Sequence, residues 1–250
     1  MYLRITFISK NGEPMEVLGH ISQEDLGDIL SKHLPVSSVA ERWKEEIYFS
    51  TGIELSGPTT SRIVAGSLAY WPPGKALCLF AGPNQPYGPV IPLGWFLGPR
   101  HYVLQIENGS EVKVDVPLDE DYLPDIQKLV KLIRESGYLV APRNWRNVVS
   151  IVGASTKRDT RIGFEIFVEK FGYIIESDPI FKRDFSAIDE ALQLRIRAHL
   201  THLIKSRLDI NEEGFVILSE YASNENDLID KLNRLITDYQ KVLDVLSLVS

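Results

Sequence analysis

Five aromatic residues and one arginine in the first half of the chain are of the types that could build a ligand-binding cleft. The aromatic residues cluster on short apolar segments, and they are Tyr48, Phe49, Tyr70, Trp71 and Phe80. Such rings line clefts for peptides or small molecules, and Arg62 in the same cleft could polarise a carbonyl group or hold a carboxylate. The alternative is structural, because a small β-barrel must fill its interior with side chains and a loop arginine is usually solvated.

A proline-rich loop follows these segments and could add ligand contacts. Residues 83–92 contain four prolines. Long loops on a rigid scaffold often carry function, so residues 84–89 could contact a ligand. A connection that is simply stiffened by proline is the alternative.

A basic stretch in the second half could bind an anion or stack a base. Its cationic members are Arg143, Arg146, Lys157, Arg158 and Arg161, and Trp145 lies among them. Aromatic rings between cations are typical of nucleic-acid contacts. A solvated basic loop that faces an acidic partner explains the same pattern and is favoured here.

The remaining reactive residue types do not form a recognisable catalytic or metal-binding motif. Cys78 is the single cysteine and lies in an apolar run, which favours a buried small side chain over a nucleophile. The five histidines show no ligand spacing, although His199 and His202 are three residues apart and could share one helix face. The sequence therefore predicts neither a metal site nor a cofactor.

Composition and charge narrow the class of protein. The chain has 250 residues and a formal net charge of −7, which argues against a dedicated nucleic-acid partner. It contains no run of 18 apolar residues and no apolar segment typical of a signal peptide. We therefore expect a soluble cytoplasmic protein that has no membrane partner.

The segment 66–82 organises the predicted fold of the first half. Two apolar runs, 68–71 and 76–80, flank Pro72, Pro73 and Gly74. Proline has no N–H for a strand ladder and glycine permits a turn, so two strands joined by a stiff turn are predicted. Further strands are predicted at residues 2–8, 15–18, 46–50, 53–55, 93–97 and 111–116, with a short helix after Ser22. About eight short strands favour a closed or nearly closed barrel.

The second half has a different composition and is predicted to be a separate α+β domain. Most prolines and glycines lie before residue 118, so we place the boundary between residues 117 and 118. Helices are predicted at 119–136, 186–208 and from about 224 almost to the C-terminus, with short strands between them. The domains are thus 1–117 and 118–250.

The last predicted helix carries a heptad-like apolar stripe. Its members are Leu228, Leu232, Leu235, Tyr239, Val242, Leu246 and Val249. This spacing is typical of a coiled-coil seam, and it favours a homodimer through this helix. Packing of the stripe on the sheet of its own domain is the alternative.

Residues 45–51 and 70–80, which include Trp71, Pro72, Pro73 and Gly74, resemble a family of uncharacterised archaeal and bacterial proteins with a cyclophilin-like fold. The resemblance continues through Gly82, Pro92, Gly94, Gly98, Leu104 and residues 108–109, and it covers about residues 1–117. It implies an eight-stranded closed β-barrel with a short helix near each open end. No family is recognised for residues 118–250.

The same resemblance bears on activity, because true cyclophilins are peptidyl-prolyl isomerases. They carry an arginine in a Phe-His-Arg strand and a glutamine-rich strand beside it, whereas residues 47–50 here contain neither Arg nor Gln. We therefore expect a binding or interaction module for a peptide or small molecule, and not an enzyme. The alternative is a divergent prolyl isomerase, or another enzyme that uses the barrel cleft.

Overall fold

The computed structural model describes residues 1–145, 148–156, 161–200 and 202–247, without the side chains of residues 199 and 200. The chain divides into two compact units, Met1–Gly163 and Phe164–Ser250. No helix in the described ranges is both long and apolar enough to span a membrane.

The first unit is built on a nearly closed antiparallel sheet of nine strands. The strands are β1 (Tyr2–Ile8), β2 (Pro14–Ile21), β3 (Val36–Val39), β4 (Glu41–Trp43), β5 (Glu46–Ser50), β6 (Ser67–Trp71), β7 (Ala76–Phe80), β8 (Ile91–Phe96) and β9 (Glu111–Asp115). Their order is β3-β9-β1-β2-β8-β6-β7-β5-β4. The prediction of a mainly β barrel is confirmed.

The observed strands of this sheet differ from the predicted ones in two places. Strands β3 and β4 were not predicted, because Val36–Val39 and Glu41–Trp43 are short and carry polar residues that hide their alternation. Residues 53–55 were predicted as a strand and are irregular. The Tyr70 hydroxyl donates a hydrogen bond to the Ile53 carbonyl at 2.6 Å and accepts one from the Leu55 N–H at 3.3 Å. These two bonds satisfy backbone groups that a strand ladder would otherwise pair.

Strand alternation places one set of side chains inside the barrel. On β1, for example, Leu3, Ile5 and Phe7 are buried while the residues between them are partly exposed. The core continues through Ile47 and Phe49 on β5 and their counterparts on the neighbouring strands. Helix α1 (Glu24–Ser31) packs Leu26 and Leu30 into this core.

The β6–β7 hairpin turns as the sequence predicts. Pro72–Gly74 forms a single 3-10 turn, and Lys75 adopts a left-handed conformation with φ 47°. The register then pairs Trp71 with Ala76. A Cβ atom at Gly74 would lie 2.5 Å from the Trp71 ring, so the turn needs glycine to hold the indole close.

The first unit continues beyond the barrel through helix α2 (Pro124–Glu135) and the hairpin of β10 (Leu139–Trp145) and β11 (Val148–Ser155). Leu18 and Leu97 of the barrel are buried in one cluster with Ala141, Val152 and Ala154. The compact unit therefore extends to Gly163. That residues 1–117 fold alone as a domain remains a prediction.

The second unit combines antiparallel strands with two helices. Its elements are β12 (Ile162–Glu169), which begins just before the unit, β13 (Gly172–Ser177), β14 (Phe181–Lys182), α3 (Ala187–Leu200), β15 (Arg207–Ile210), β16 (Phe215–Ala222) and α4 (Glu225–Ser247). Strand β13 pairs with both β12 and β16, and β16 also pairs with β14 and β15. The predicted α+β composition is confirmed.

The apolar stripe of α4 is largely covered within its own unit. Leu228, Leu232, Leu235, Tyr239 and Val242 are buried, and the helix packs mainly on β16 and β13. Leu246 is half-buried, and Val249 lies outside the described residues. Packing on its own sheet thus accounts for most of the stripe, and the homodimer stays a prediction.

Candidate functional site

The candidate site is a pocket on the outer face of the barrel sheet. Side chains alternate between the two faces of a strand. Ile47 and Phe49 of β5 therefore point into the core, while Glu46 and Tyr48 point outwards. On β6 and β7 the outward residues form a second buried cluster, which consists of Ala69, Cys78 and Phe80 with Val90 from the following loop. This cluster underlies the pocket.

The pocket has a volume of about 230 Å³ and a mainly apolar, aromatic lining. Its seven lining residues are Trp43, Glu46, Tyr48, Trp71, Pro86, Tyr87 and Val90. They come from β4, β5, β6 and the loop that precedes β8. Four of the seven carry aromatic rings, and one is acidic.

The four rings are arranged as two edge-to-face pairs. The ring centroids of Tyr48 and Trp71 are 6.3 Å apart with planes inclined at 82°. Those of Trp43 and Tyr87 are 6.0 Å apart with planes inclined at 77°. Edge-to-face pairs hold aromatic side chains in defined orientations, so the walls are organised without a ligand.

Hydrogen bonds fix the loop that carries Pro86 and Tyr87. Thr60 and Val90 form an isolated β-bridge, with N–H···O distances of 2.8 and 2.9 Å. The Gln85 side chain accepts from the Ile63 N–H at 2.9 Å and donates to the Ile63 carbonyl at 3.0 Å. Tyr87 is nevertheless 86% exposed. A large apolar ring that is held in water at the mouth of a pocket is typical of a binding surface.

Glu46 is the buried acid of the pocket. Its side chain is only 6% exposed. Burial raises the pKa of this carboxyl above its ordinary value, and a hydrogen bond from Cys78 offsets part of the rise. Cys78 is fully buried on the adjacent strand, and burial together with the Glu46 charge raises the pKa of its thiol well above the ordinary value. A buried thiol with a raised pKa is a poor nucleophile.

Tyr48 is held in place by an acid outside the pocket. Its hydroxyl donates a hydrogen bond to Glu41 Oε2 at 2.7 Å. Because this bond and burial both favour the protonated phenol, the pKa of Tyr48 is raised to about 12. Tyr48 therefore contributes a neutral ring at physiological pH.

The structure separates the sequence-predicted cleft residues into three groups. Tyr48 and Trp71 line the pocket, and Phe80 is buried beneath it. Phe49 and Tyr70 belong to the barrel core instead, because they lie at the opposite parity of their strands. Arg62 is exposed beside a different surface depression, which Gln23 and Trp95 also line.

The basic stretch is only partly described. Arg146, Lys157 and Arg158 lie outside the described residues. Arg143 is buried, with its guanidinium over the rings of Tyr102 and Trp145 at 4.6 and 4.3 Å. Arg161 is also buried and donates to the carbonyls of Phe96 and Gly98. The two described arginines named here thus make internal contacts.

Within the described ranges, no group of three or more His, Cys, Asp or Glu residues is placed to hold a metal ion. The side chain of His199 lies outside the described part.

Sequence reasoning missed Trp43, Glu46 and Val90 as members of the pocket, whereas Pro86 and Tyr87 lie in the loop 84–89 that was expected to contact a ligand. Glu46 had a usable signal, because it shares strand parity with Tyr48 two residues later. Tyr87 had a weaker one, since its loop was a candidate for ligand contacts. No sequence pattern paired Trp43 with Tyr87, because a short strand and a distant loop bring them together.

One family model matches the N-terminal part of the chain, and two solved structures are similar to part of it. Residues 1–115 match the family model described as cyclophilin-like. The solution structure of the hypothetical protein AF2241 from Archaeoglobus fulgidus is 28% identical, and the match has a TM-score of 0.36 and covers 46% of this chain and 93% of that one. The structure of McbB in complex with tryptophan is 17% identical, with a TM-score of 0.37 and coverage of 54% of each chain. No curated protein matches the sequence.

The family match confirms the resemblance of residues 45–82 and their flanking segments. It spans the nine strands of the nearly closed sheet and ends with β9. Residues 1–115 therefore match the cyclophilin-like family model, and this match is consistent with a cyclophilin-like domain in this part of the chain.

Proposed function

We propose that the cyclophilin-like domain is a binding module that receives a small ligand, or a side chain of a peptide, in the outer aromatic pocket. One observation carries the proposal: four aromatic rings and one buried carboxyl group surround a preformed cavity of about 230 Å³. Pockets with an apolar wall and few polar groups are the usual form of a small-molecule site.

Binding is favoured over catalysis because the lining offers little reactive chemistry. None of its seven residues is an arginine, a glutamine or a histidine. Cys78, the nearby thiol, is buried and protonated for the reasons given above. Glu46 is the one lining carboxyl, and the hydroxyl of Tyr48 is engaged with Glu41. An isomerase assay on a panel of Xaa-Pro peptides tests the alternative of a divergent prolyl isomerase.

The binding proposal is tested by ligand-observed NMR on the full chain with a panel of neutral and charged fragments. Trp43→Ala and Tyr87→Ala are the informative variants, because both side chains are exposed enough to be removed without loss of the core. We expect each to weaken the binding of any fragment that enters the pocket. Phe185→Ala removes a ring of the second unit that is 79% exposed, close to the 86% of Tyr87, and is the matched control for the Tyr87 variant.

The proposal would be rejected by fragments that bind equally well to the wild type and to both pocket variants. A protein that binds no fragment would also reject it. Native mass spectrometry of the purified chain gives an independent readout, since a copurified ligand would be lost from the Trp43 and Tyr87 variants.

A further inference from the structure

The buried carboxyl of the pocket has no cationic partner in the described protein. Glu46 is 6% exposed and lines the cavity. None of the salt bridges among the described residues involves Glu46. A buried ionised carboxylate is costly unless a positive charge or strong donors compensate for it. The site therefore favours the arrival of a positive charge.

The aromatic walls favour the same charge. The face of an aromatic ring is electrostatically negative and attracts ammonium groups, most strongly in tryptophan. Trp43 already shows this preference within the chain, because Lys44 Nζ lies 5.5 Å from the centroid of its ring. Two tryptophans and two tyrosines at the walls thus complement a cation that also faces Glu46.

We infer that the occupant of this pocket is a small organic cation with an alkylammonium or N-methylated ammonium head, held by the rings of Trp43, Tyr48, Trp71 and Tyr87 and paired with the carboxylate of Glu46. The inference rests on the proposed binding function and names its ligand class. Methyl groups on nitrogen would contact the rings while the delocalised positive charge faces the acid.

The size of the cavity favours a free small molecule. Its volume of about 230 Å³ is below the roughly 300–1,000 Å³ that is usual for drug-sized ligands. A compact quaternary or primary ammonium compound matches this volume better than an extended polymer segment does. The occupant is accordingly a metabolite-sized cation.

The test compares two molecules of nearly the same shape. Choline carries a trimethylammonium group, and 3,3-dimethylbutan-1-ol carries an uncharged tert-butyl group in its place. Calorimetric titration of the full chain with each compound isolates the contribution of the charge. We expect choline to bind saturably and at least tenfold more tightly than the neutral alcohol.

Substitutions separate the contribution of the Glu46 carboxylate to choline affinity from that of the aromatic rings. Glu46→Gln keeps the shape and removes the charge, so choline affinity should fall at least tenfold and approach that of the alcohol. Glu45→Gln makes the same charge change one residue away, at a side chain that does not line the pocket, and should change affinity less than twofold. Trp43→Leu keeps an apolar wall but removes the ring, and should weaken choline more than the alcohol.

The possible outcomes distinguish the inference of a cationic ligand from the proposed binding function on which it rests. If choline and the alcohol bind the wild type with equal affinity and neither binds the Tyr87→Ala variant, the ligand is not a cation. The proposal of a binding module would then still hold. No binding of either compound or of any fragment would overturn both. If Glu46→Gln lowers the thermal unfolding midpoint, the Trp43→Leu variant decides whether the pocket prefers the cation. Trp43 is 43% exposed and outside the core, so this substitution should leave the fold intact. If a peptide that contains trimethyllysine binds over tenfold more tightly than choline, the inference that the ligand is a free small molecule is wrong.

Discussion

The rings of Tyr48 and Trp71 meet edge to face above strand β7, with their centroids 6.3 Å apart. They stand on β5 and β6, which are not neighbours, because β7 lies between them in the sheet. Each ring thus reaches across the outward face of β7, where Cys78 is buried. This contact forms one wall of the pocket and depends on the position of the Trp71 ring.

Gly74→Ala should displace that ring. The new Cβ would lie 2.5 Å from Trp71 Cε3, and a rigid indole cannot avoid it by a small rotamer change. We expect a loss of about 1–3 kcal/mol in the free energy of unfolding and a changed tryptophan fluorescence spectrum. Urea unfolding and fluorescence measure the two effects.

Gly88→Ala is the control for this substitution, because its Cβ would lie 3.6 Å from Trp71 Nε1, which is an ordinary contact. It should change stability by less than about 0.5 kcal/mol. Equal effects of the two variants would contradict the role assigned to Gly74.

Tyr70→Phe should destabilise the barrel by about 1–3 kcal/mol. Its hydroxyl donates to the buried Ile53 carbonyl and accepts from the Leu55 N–H, and removal leaves both backbone groups without that partner. Tyr48→Phe removes a hydroxyl whose partner, Glu41, is exposed to water, so it should cost under about 0.5 kcal/mol. Chemical unfolding of both variants checks the difference. If Tyr48→Phe lowered the free energy of unfolding more than Tyr70→Phe does, residues 53–55 would not be held by Tyr70.

Glu176→Gln should stabilise the second unit at neutral and alkaline pH. Burial, together with the charges of Glu165 and other acids, raises the pKa of Glu176 from 4.5 to about 7. The unfolded chain therefore releases this proton at lower pH than the folded chain, and stability falls as pH rises from about 4.5 to 7. We expect the variant to gain about 1–2 kcal/mol above pH 7, a value reduced from the full shift because the side chain is partly exposed.

Near pH 4 the same variant should match the wild type, because Glu176 is protonated in both the folded and unfolded chains. Glu169→Gln is the control, since Glu169 is exposed at the end of β12. Thermal unfolding from pH 4 to 8 measures both variants. A gain that does not depend on pH would refute the assignment to Glu176.

The fragments 1–117 and 1–163 test where the first domain ends. The shorter fragment exposes Leu18 and Leu97, which in the full chain are buried with Ala141, Val152 and Ala154. Burial of a leucine is worth roughly 1.5–3 kcal/mol, so 1–117 should fold but be less stable than 1–163 by a few kcal/mol. Circular dichroism and urea unfolding measure whether each fragment folds and how stable it is. If the 1–117 fragment does not unfold cooperatively, the domain boundary lies at residue 163.

The predicted homodimer through α4 is tested by light scattering on the full chain at tens of micromolar. Leu246→Glu is the variant of choice, because Leu246 is half-buried while Leu235 is fully buried in the second unit. A dimer that becomes a folded monomer in this variant would support the proposal. A monomeric wild type would reject it.

The sequence by itself determined most strands of the barrel and its β6–β7 hairpin, because the signals for these elements are local. Alternation on residues 2–8 and the Pro72–Gly74 turn between two apolar runs specify strands and a hairpin without reference to distant residues. The short strands β3 and β4 escaped prediction because they are too brief to show a period.

Tertiary structure alone decided which aromatic side chains form the pocket. Tyr48 and Phe49 are adjacent in sequence, as are Tyr70 and Trp71, yet strand parity sends one member of each pair into the core and the other outwards. Register then places Glu46 opposite Phe80 and Tyr48 opposite Cys78, and the loop before β8 brings Tyr87 to Trp43. These contacts join residues far apart in the chain, so their existence depends on the nearly closed sheet and not on any local pattern.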